Sequence, residues 1–178
     1  MKIYDYILCS GSGNRFLLFD TLRSDLSGLN IAAFAAEELH RFGVDGLLLL
    51  TRDGRGRFGM RMFNTDGSEA EMCGNGIRCV AKYLFDNGIV KKPVINIETK
   101  SGIKSCSIMT MNGKAYKITV DMGAAALRPE QVPVKLEGDM VVNKPVIIDG
   151  HEYYITCASM GNPHCAVFAP SIDKLDLN

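Results

Sequence analysis

The sequence has no excess of charge of either sign. Its 20 Lys and Arg stand against 20 Asp and Glu, and the tightest basic run is Lys91-Lys92. That removes the electrostatic footprint by which nucleic acid or an anionic membrane surface is bound, so neither is expected as a partner. No apolar stretch approaches the length that spans a bilayer. The opening residues Met1-Lys2-Ile3-Tyr4-Asp5-Tyr6 carry an acid early and precede no long apolar run, which argues against a signal peptide and for the cytoplasm. Cys-x-x-Cys pairs are missing and the three histidines, His40, His151 and His164, are far apart, so no metal site is expected. Six cysteines could suggest disulfides, but without an export signal they read as reduced thiols.

What is present describes a globular protein. With 178 residues, 47% apolar and 22% charged, the chain can bury roughly 70% of its unfolded surface in one domain or two small ones. Apolar runs Ile3–Leu8 and Arg15–Asp20 flank Ser10-Gly11-Ser12-Gly13-Asn14, which predicts strand, glycine-rich turn, strand. Ile31–Arg41 has helical spacing with Asn30 as N-cap, and Leu47–Leu50 reads as a buried strand. Arg52–Arg57 reads as an exposed turn before a strand over Phe58–Asn64. Ile77, Val80, Ala81, Leu84 and Phe85 form one helical stripe, stopped at Asn87-Gly88. Strands are then predicted over Val94–Thr99, Ile103–Met111 and Tyr116–Met122, with hairpin turns at Ser101-Gly102 and Asn112-Gly113. Val132–Val134, Val146–Ile148 and Glu152–Ala158 continue the strand pattern. Ser159–His164 then turns into a last strand over Cys165–Phe168. Strands dominate and two helices stand out, so the fold class is α+β.

Cys73 carries the chemistry. A Gly-, Asp- and Ser-rich loop, Asn64-Thr65-Asp66-Gly67-Ser68-Glu69, leads to Cys73-Gly74-Asn75-Gly76 at the head of the second helix. A thiol at a helix N-terminus faces unpaired N–H groups and the positive end of the helix dipole, both of which favour thiolate. The same N–H groups can hold a carboxylate or an anion formed during reaction. A base and an anion holder thus fall within one helical turn.

The run from Met62 to Cys79 resembles the first catalytic motif of diaminopimelate epimerases. Gly11-Ser12-Gly13-Asn14-Arg15-Phe16, Gly43-Val44-Asp45-Gly46-Leu47-Leu48 and Ser159-Met160-Gly161-Asn162-Pro163-His164-Cys165 agree with that family in the same order. The resemblance implies two pseudo-symmetric α+β halves, each with strands wrapped around a central helix. Residues 1–119 would form the first half and 120–178 the opening of the second. It further implies proton transfer between two cysteine thiols on opposite faces of an amino-acid α-carbon, with no cofactor and no metal. Cys73 would be one acid/base and His164 would help it lose its proton. Asn14, Asn64, Asn75 and Asn162 would hold the substrate's polar groups, and the Gly74 and Asn75 N–H groups would face its α-carboxylate. The implied partner is a small amino acid, diaminopimelate, and a homodimer is left open. Two positions depart from the pattern. Arg15 stands where the family usually carries Asp, and nothing in the 178 residues matches the family's second cysteine motif. The polypeptide given is therefore expected to be incomplete or weakly active alone, because inverting a centre needs proton-transfer groups on both faces.

Plainer roles cover the other candidates. Cys79, Cys106, Cys157 and Cys165 read as core residues and Cys9 as structural. His40 and His151 read as surface residues and Asp66, Glu69 and Glu71 as solvated loop charges; Arg78 reads as a structural charge partner or as a source of local positive potential, the first being favoured. Three alternative functions remain: a same-fold isomerase of another amino acid (proline-racemase-like or phenazine-biosynthesis-like), a cysteine hydrolase using Cys73 and His164, and an inactive half-molecule serving as a binding or assembly module.

Overall fold

A computed structural model of the chain describes residues 4–169 and 171–172. Ile3 and the closing Leu175–Asn178 lie outside the described residues. The chain divides into two compact units, Met1–Met122 and Gly123–Asn178.

The first unit runs β1 (Ile7–Gly11), β2 (Asn14–Asp20), α1 (Ile31–Phe42), β3 (Gly46–Arg52), β4 (Phe58–Phe63), β5 (Glu69–Ala70), α2 (Gly74–Asp86), β6 (Val94–Thr99), β7 (Gly102–Met111) and β8 (Lys114–Asp121). These strands form one mixed sheet in the order β1-β2-β3-β4-β6-β7-β8, with the short β5 pairing to β4. Two pairs are parallel, β2 with β3 and β4 with β6. Each is joined through a helix, α1 in the first crossover and α2 in the second. Because β3 and β4 are antiparallel, the two crossovers step the same way across the sheet on strands of opposite direction. Right-handed connections then put the helices on opposite faces.

The packing agrees. Phe16 and Leu18 of β2, with Leu48 and Leu50 of β3, pack in one core with Ile77, Val80, Ala81 and Leu84 of α2. Their alternate neighbours Leu17, Phe19, Leu47 and Leu49 pack in a second core with Ala35 and Leu39 of α1. A strand covered on both faces must be apolar throughout, which accounts for the unbroken runs Phe16–Phe19 and Leu47–Leu50. The strand β6, by contrast, alternates exposed Val94 and Asn96 with buried Ile95 and Ile97. The helix α2 touches β1 at one edge of the sheet, β8 at the other, and strands between. The sheet therefore curls around α2, the α+β arrangement with a central helix.

A polar tie anchors that helix. Tyr83 Oη donates to Asp20 Oδ2 across 2.8 Å, and the Leu22 N–H donates to Asp20 Oδ1 across 2.9 Å. Asp20 is one of two buried polar or charged residues among those described. Burial raises the Tyr83 phenol above its ordinary range, and the neighbouring Asp20 carboxylate adds to it.

The second unit holds a three-stranded antiparallel sheet: β9 (Lys144–Ile148), β10 (His151–Ser159) and β11 (Pro163–Val167), ordered β11-β10-β9. Val132, Val141, Ile155 and Cys157 form its core. The predicted strand at Val132–Val134 is a turn and coil instead. Its apolar residues anchor an irregular segment, and Val132 is buried for that reason. Pro163 lies on the edge strand, where its missing N–H costs no ladder bond.

Turn positions shift by a residue or two from expectation. The glycine-rich turn is only Ser12-Gly13, since Gly11 pairs with Asn14. The turn predicted at Ser101-Gly102 is Lys100-Ser101, because Gly102 already pairs with Thr99. His164 lies in β11 rather than in the turn, opposite Ala158.

Candidate active site at the head of α2

Cys73 is the N-cap of α2, in extended backbone (φ −141°, ψ 109°), and its Sγ accepts the Gly76 N–H across 3.3 Å. A thiol here replaces the hydroxyl or amide oxygen that usually caps a helix. The space around it is tight on one side. A side chain at Gly76 would put its Cβ 2.8 Å from Leu48 Cδ2 and 3.5 Å from Cys73 Sγ. A Cβ at Gly74 would meet only Met122, at ordinary van der Waals distance. The first turn of α2 is pressed onto the core at Gly76 and comparatively open at Gly74.

The β1–β2 hairpin is brought against this turn. Ser12 and Gly13 both have positive φ (49° and 91°), the geometry of a two-residue turn whose twist matches the strands. A Cβ on Gly11 would stand 2.8 Å from the Asn75 carbonyl oxygen, so glycine permits the close approach. Asn75 Nδ2 donates to Asn14 Oδ1 across 2.7 Å. Arg78, one turn further along α2, donates to Asn75 Oδ1 and, across 2.8 Å, to Ser12 Oγ.

The structure therefore brings Cys73, Gly74, Asn75 and Asn14 together. Asn64 follows β4, one residue past the strand expected to include it, and holds its own loop: its N–H donates to the Ser68 carbonyl at 2.8 Å and its Nδ2 to Ser68 Oγ at 3.0 Å. Asn162 and His164 belong to the second unit, where His164 Nε2 lies 3.1 Å from Asn162 Oδ1. Arg15, the departure from the family pattern, sits on the other face of β2 from Asn14. Its N–H donates to Asp45 Oδ2 across 2.6 Å and its guanidinium donates to the Gly43 carbonyl. Gly43 is the left-handed C-cap of α1, so Arg15 places a cation where the helix dipole favours one.

Other expectations meet mixed outcomes. Cys79, Cys106 and Cys157 are buried, whereas Cys165, expected in the core, is exposed on the edge strand β11. Burial pushes the Cys106 thiol up to about 11. The Cys9 thiol donates to the Phe16 carbonyl across 3.6 Å; the neighbouring Cys79 thiol and burial push Cys9 up, while Cys9 and the Arg78 charge bring Cys79 down. Glu69 is not merely solvated: it forms a two-bond pair with Arg61 at 2.8 and 3.0 Å. That hydrogen bonding holds its carboxyl below the usual range. Among the described residues Arg78 has no acidic partner, contrary to the favoured reading of it as a structural charge partner. The only sequence signal for its role is its position three residues after Asn75 on the same helix. Among the described residues no cluster of His, Cys, Asp or Glu could hold a metal ion, and no helix is long and apolar enough to cross a membrane. A 580 Å³ cavity lined by Phe58, Ile89, Lys92 and Ile103 contains none of the thiol-site residues.

A mixed sheet curled around a helix is the fold seen in solved epimerases and racemases. Solved structures share that fold. A hydroxyproline epimerase from Agrobacterium vitis matches with a TM-score of 0.66 and 15% identity, over 91% of this chain and 50% of that one. A phenazine biosynthesis protein from Bacillus anthracis matches at 0.57 and 19%, over 94% and 56%. The sequence model of the diaminopimelate epimerase family matches residues 6–128, and the chain belongs to that family. Curated relatives named diaminopimelate epimerase include one from Acetivibrio thermocellus, 44% identical over 169 residues (94% of this chain, 60% of that protein). Another, from Methanococcus maripaludis, is 39% identical over 168 residues (94% and 61%). The chain thus spans about 60% of the length of these relatives.

Proposed function

We propose that the chain supplies one proton-transfer face of a diaminopimelate epimerase, with Cys73 as the acid/base. The observation that carries this reading is the N-cap geometry, Cys73 Sγ on the Gly76 N–H beside the paired amides of Asn75 and Asn14. An amino-acid α-carboxylate held by the Gly74 and Asn75 N–H groups sets the α-carbon beside the thiol. As the Cys73 thiolate takes the α-proton, negative charge grows into the carboxylate, and those same N–H groups stabilise it. Asn14 and Asn64 would bind further polar groups of the substrate. Asn162 would bind the substrate and His164 would help the thiol lose its proton. This assignment of the second unit rests on the family resemblance.

Residues 1–119 would act as one half, with 120–178 opening the other. The 178 residues hold no second cysteine motif, so this polypeptide by itself exchanges the α-proton without inverting the centre efficiently. Binding is tested by site-resolved alkylation: LL-diaminopimelate should slow iodoacetamide labelling at Cys73 and leave Cys165 untouched. Equal labelling at Cys73 with and without the amino acid contradicts the site. Robust accumulation of the meso isomer by the isolated, mass-verified polypeptide contradicts the one-face reading.

A further inference from the structure

Arg78 is an unusual choice where it stands. It lies near the N-terminal end of α2, where the helix dipole disfavours a cation, and among the described residues no Asp or Glu forms an ion pair with it. Two unfavourable features at one half-buried side chain call for a compensating role. Its hydrogen bonds supply one: Arg78 donates to Asn75 Oδ1, Asn75 Nδ2 donates to Asn14 Oδ1, and Arg78 also donates to Ser12 Oγ in the turn that carries Asn14.

Each link fixes the next. An amide group is free to present either its oxygen or its nitrogen, and only its surroundings decide which. Arg78 can only donate, so it commits Asn75 to turn its oxygen toward the guanidinium and its nitrogen toward Asn14. Asn14 must then offer its oxygen to Asn75, and its Nδ2 is left as the donor not used in the relay. We propose that Arg78 is a positioning residue, ordering the Asn75 and Asn14 amides so that the mouth of the site presents N–H donors to a carboxylate-bearing amino acid. This deepens the proposed function and rests on it for the ligand, whereas the relay itself is a property of the free protein. The guanidinium also gives the mouth positive potential, and its Nη2 donates to both Ser12 Oγ and Asn75 Oδ1 from a planar group whose direction a lysine ammonium does not reproduce.

The test uses the full 178-residue chain, with Arg78→Gln and Arg78→Lys, and two readouts. The first is side-chain amide NMR of Asn75 and Asn14 without ligand. In wild type the Asn75 amide protons should be protected from exchange, and both substitutions should lower that protection at least tenfold while the urea midpoint stays close to wild type. Unchanged Asn75 and Asn14 resonances in Arg78→Gln overturn the relay, whatever the ligand. The second is titration with LL-diaminopimelate, where Arg78→Gln should weaken binding roughly 10- to 100-fold. Binding restored by Arg78→Lys while Asn75 protection stays lost would reduce the role to charge alone and overturn the ordering of amides as its basis. If wild type binds no diaminopimelate, the substrate reading fails, and the amide readout still decides the relay.

Discussion

Gly76 sets two known effects against each other, and their magnitudes decide the outcome. Replacing glycine by alanine inside a helix should stabilise it by about 1 kcal/mol. Here the added Cβ would stand 2.8 Å from Leu48 Cδ2, and Leu48 is fully buried in the α2 core. Overpacking a filled core costs about 1–3 kcal/mol. The net expectation for Gly76→Ala is therefore destabilisation by about 0–2 kcal/mol, with the sign opposite to helix propensity. Leu48→Ala alone should cost about 2–5 kcal/mol through the cavity it leaves. The double variant removes the collision and partly fills the cavity, so it should be more stable than the sum of the singles by about 1 kcal/mol or more. Urea midpoints of the four proteins complete the cycle. Additive effects, or a Gly76→Ala protein more stable than wild type by the full propensity gain, would refute the close packing of α2 on β3 beneath Cys73.

Other consequences are as direct. Tyr83→Phe strips the buried Asp20 carboxylate of one donor and should cost about 1–3 kcal/mol in urea unfolding; a neutral result would mean the tie between α2 and β2 carries no weight. Glu69 is depressed in the folded protein, so its contribution is fully present above the ordinary carboxylate value near 4 and is lost as pH falls through the lower folded value. Glu69→Gln should thus flatten the fall of stability below about pH 4, and an unchanged acid limb would contradict the pairing with Arg61. Arg15→Ala should lower stability by about 0.3–1 kcal/mol through the lost cation at the end of α1. It should leave protection of Cys73 by diaminopimelate unchanged, and a loss of that protection would place Arg15 in the site after all.

Much of the first unit was legible from periodicity. The stripe Ile77–Leu84, the cap at Asn30 and the stop at Asn87-Gly88 are each local signals, and α1 and α2 form where they point. Alternation located β6, β7 and β8 to within two residues for the same reason, since each has one exposed face. Legibility failed where tertiary contacts decide. Val132–Val134 has a strand's composition but finds no partner strand, and burial alone uses its side chains. The two-residue β5 is too short to leave a pattern. At the site, Cys73 and its glycines could be read because a thiol before a helix has a recognisable chemistry. Arg15 could not, because the face of β2 on which it lies depends on sheet register and on α1. Arg78 was hidden because its partners, Ser12 and Asn75, are joined only by folding: Ser12 is 66 residues away in sequence.

Cys73 is the proposed base that removes an α-proton. The direct measurement is deuterium uptake at the α-carbon of LL-diaminopimelate in heavy water, comparing wild type with Cys73→Ala. Uptake by wild type that disappears in Cys73→Ala, with the LL isomer predominating over meso, is the predicted result. No uptake by wild type, or uptake that persists without the thiol, contradicts it.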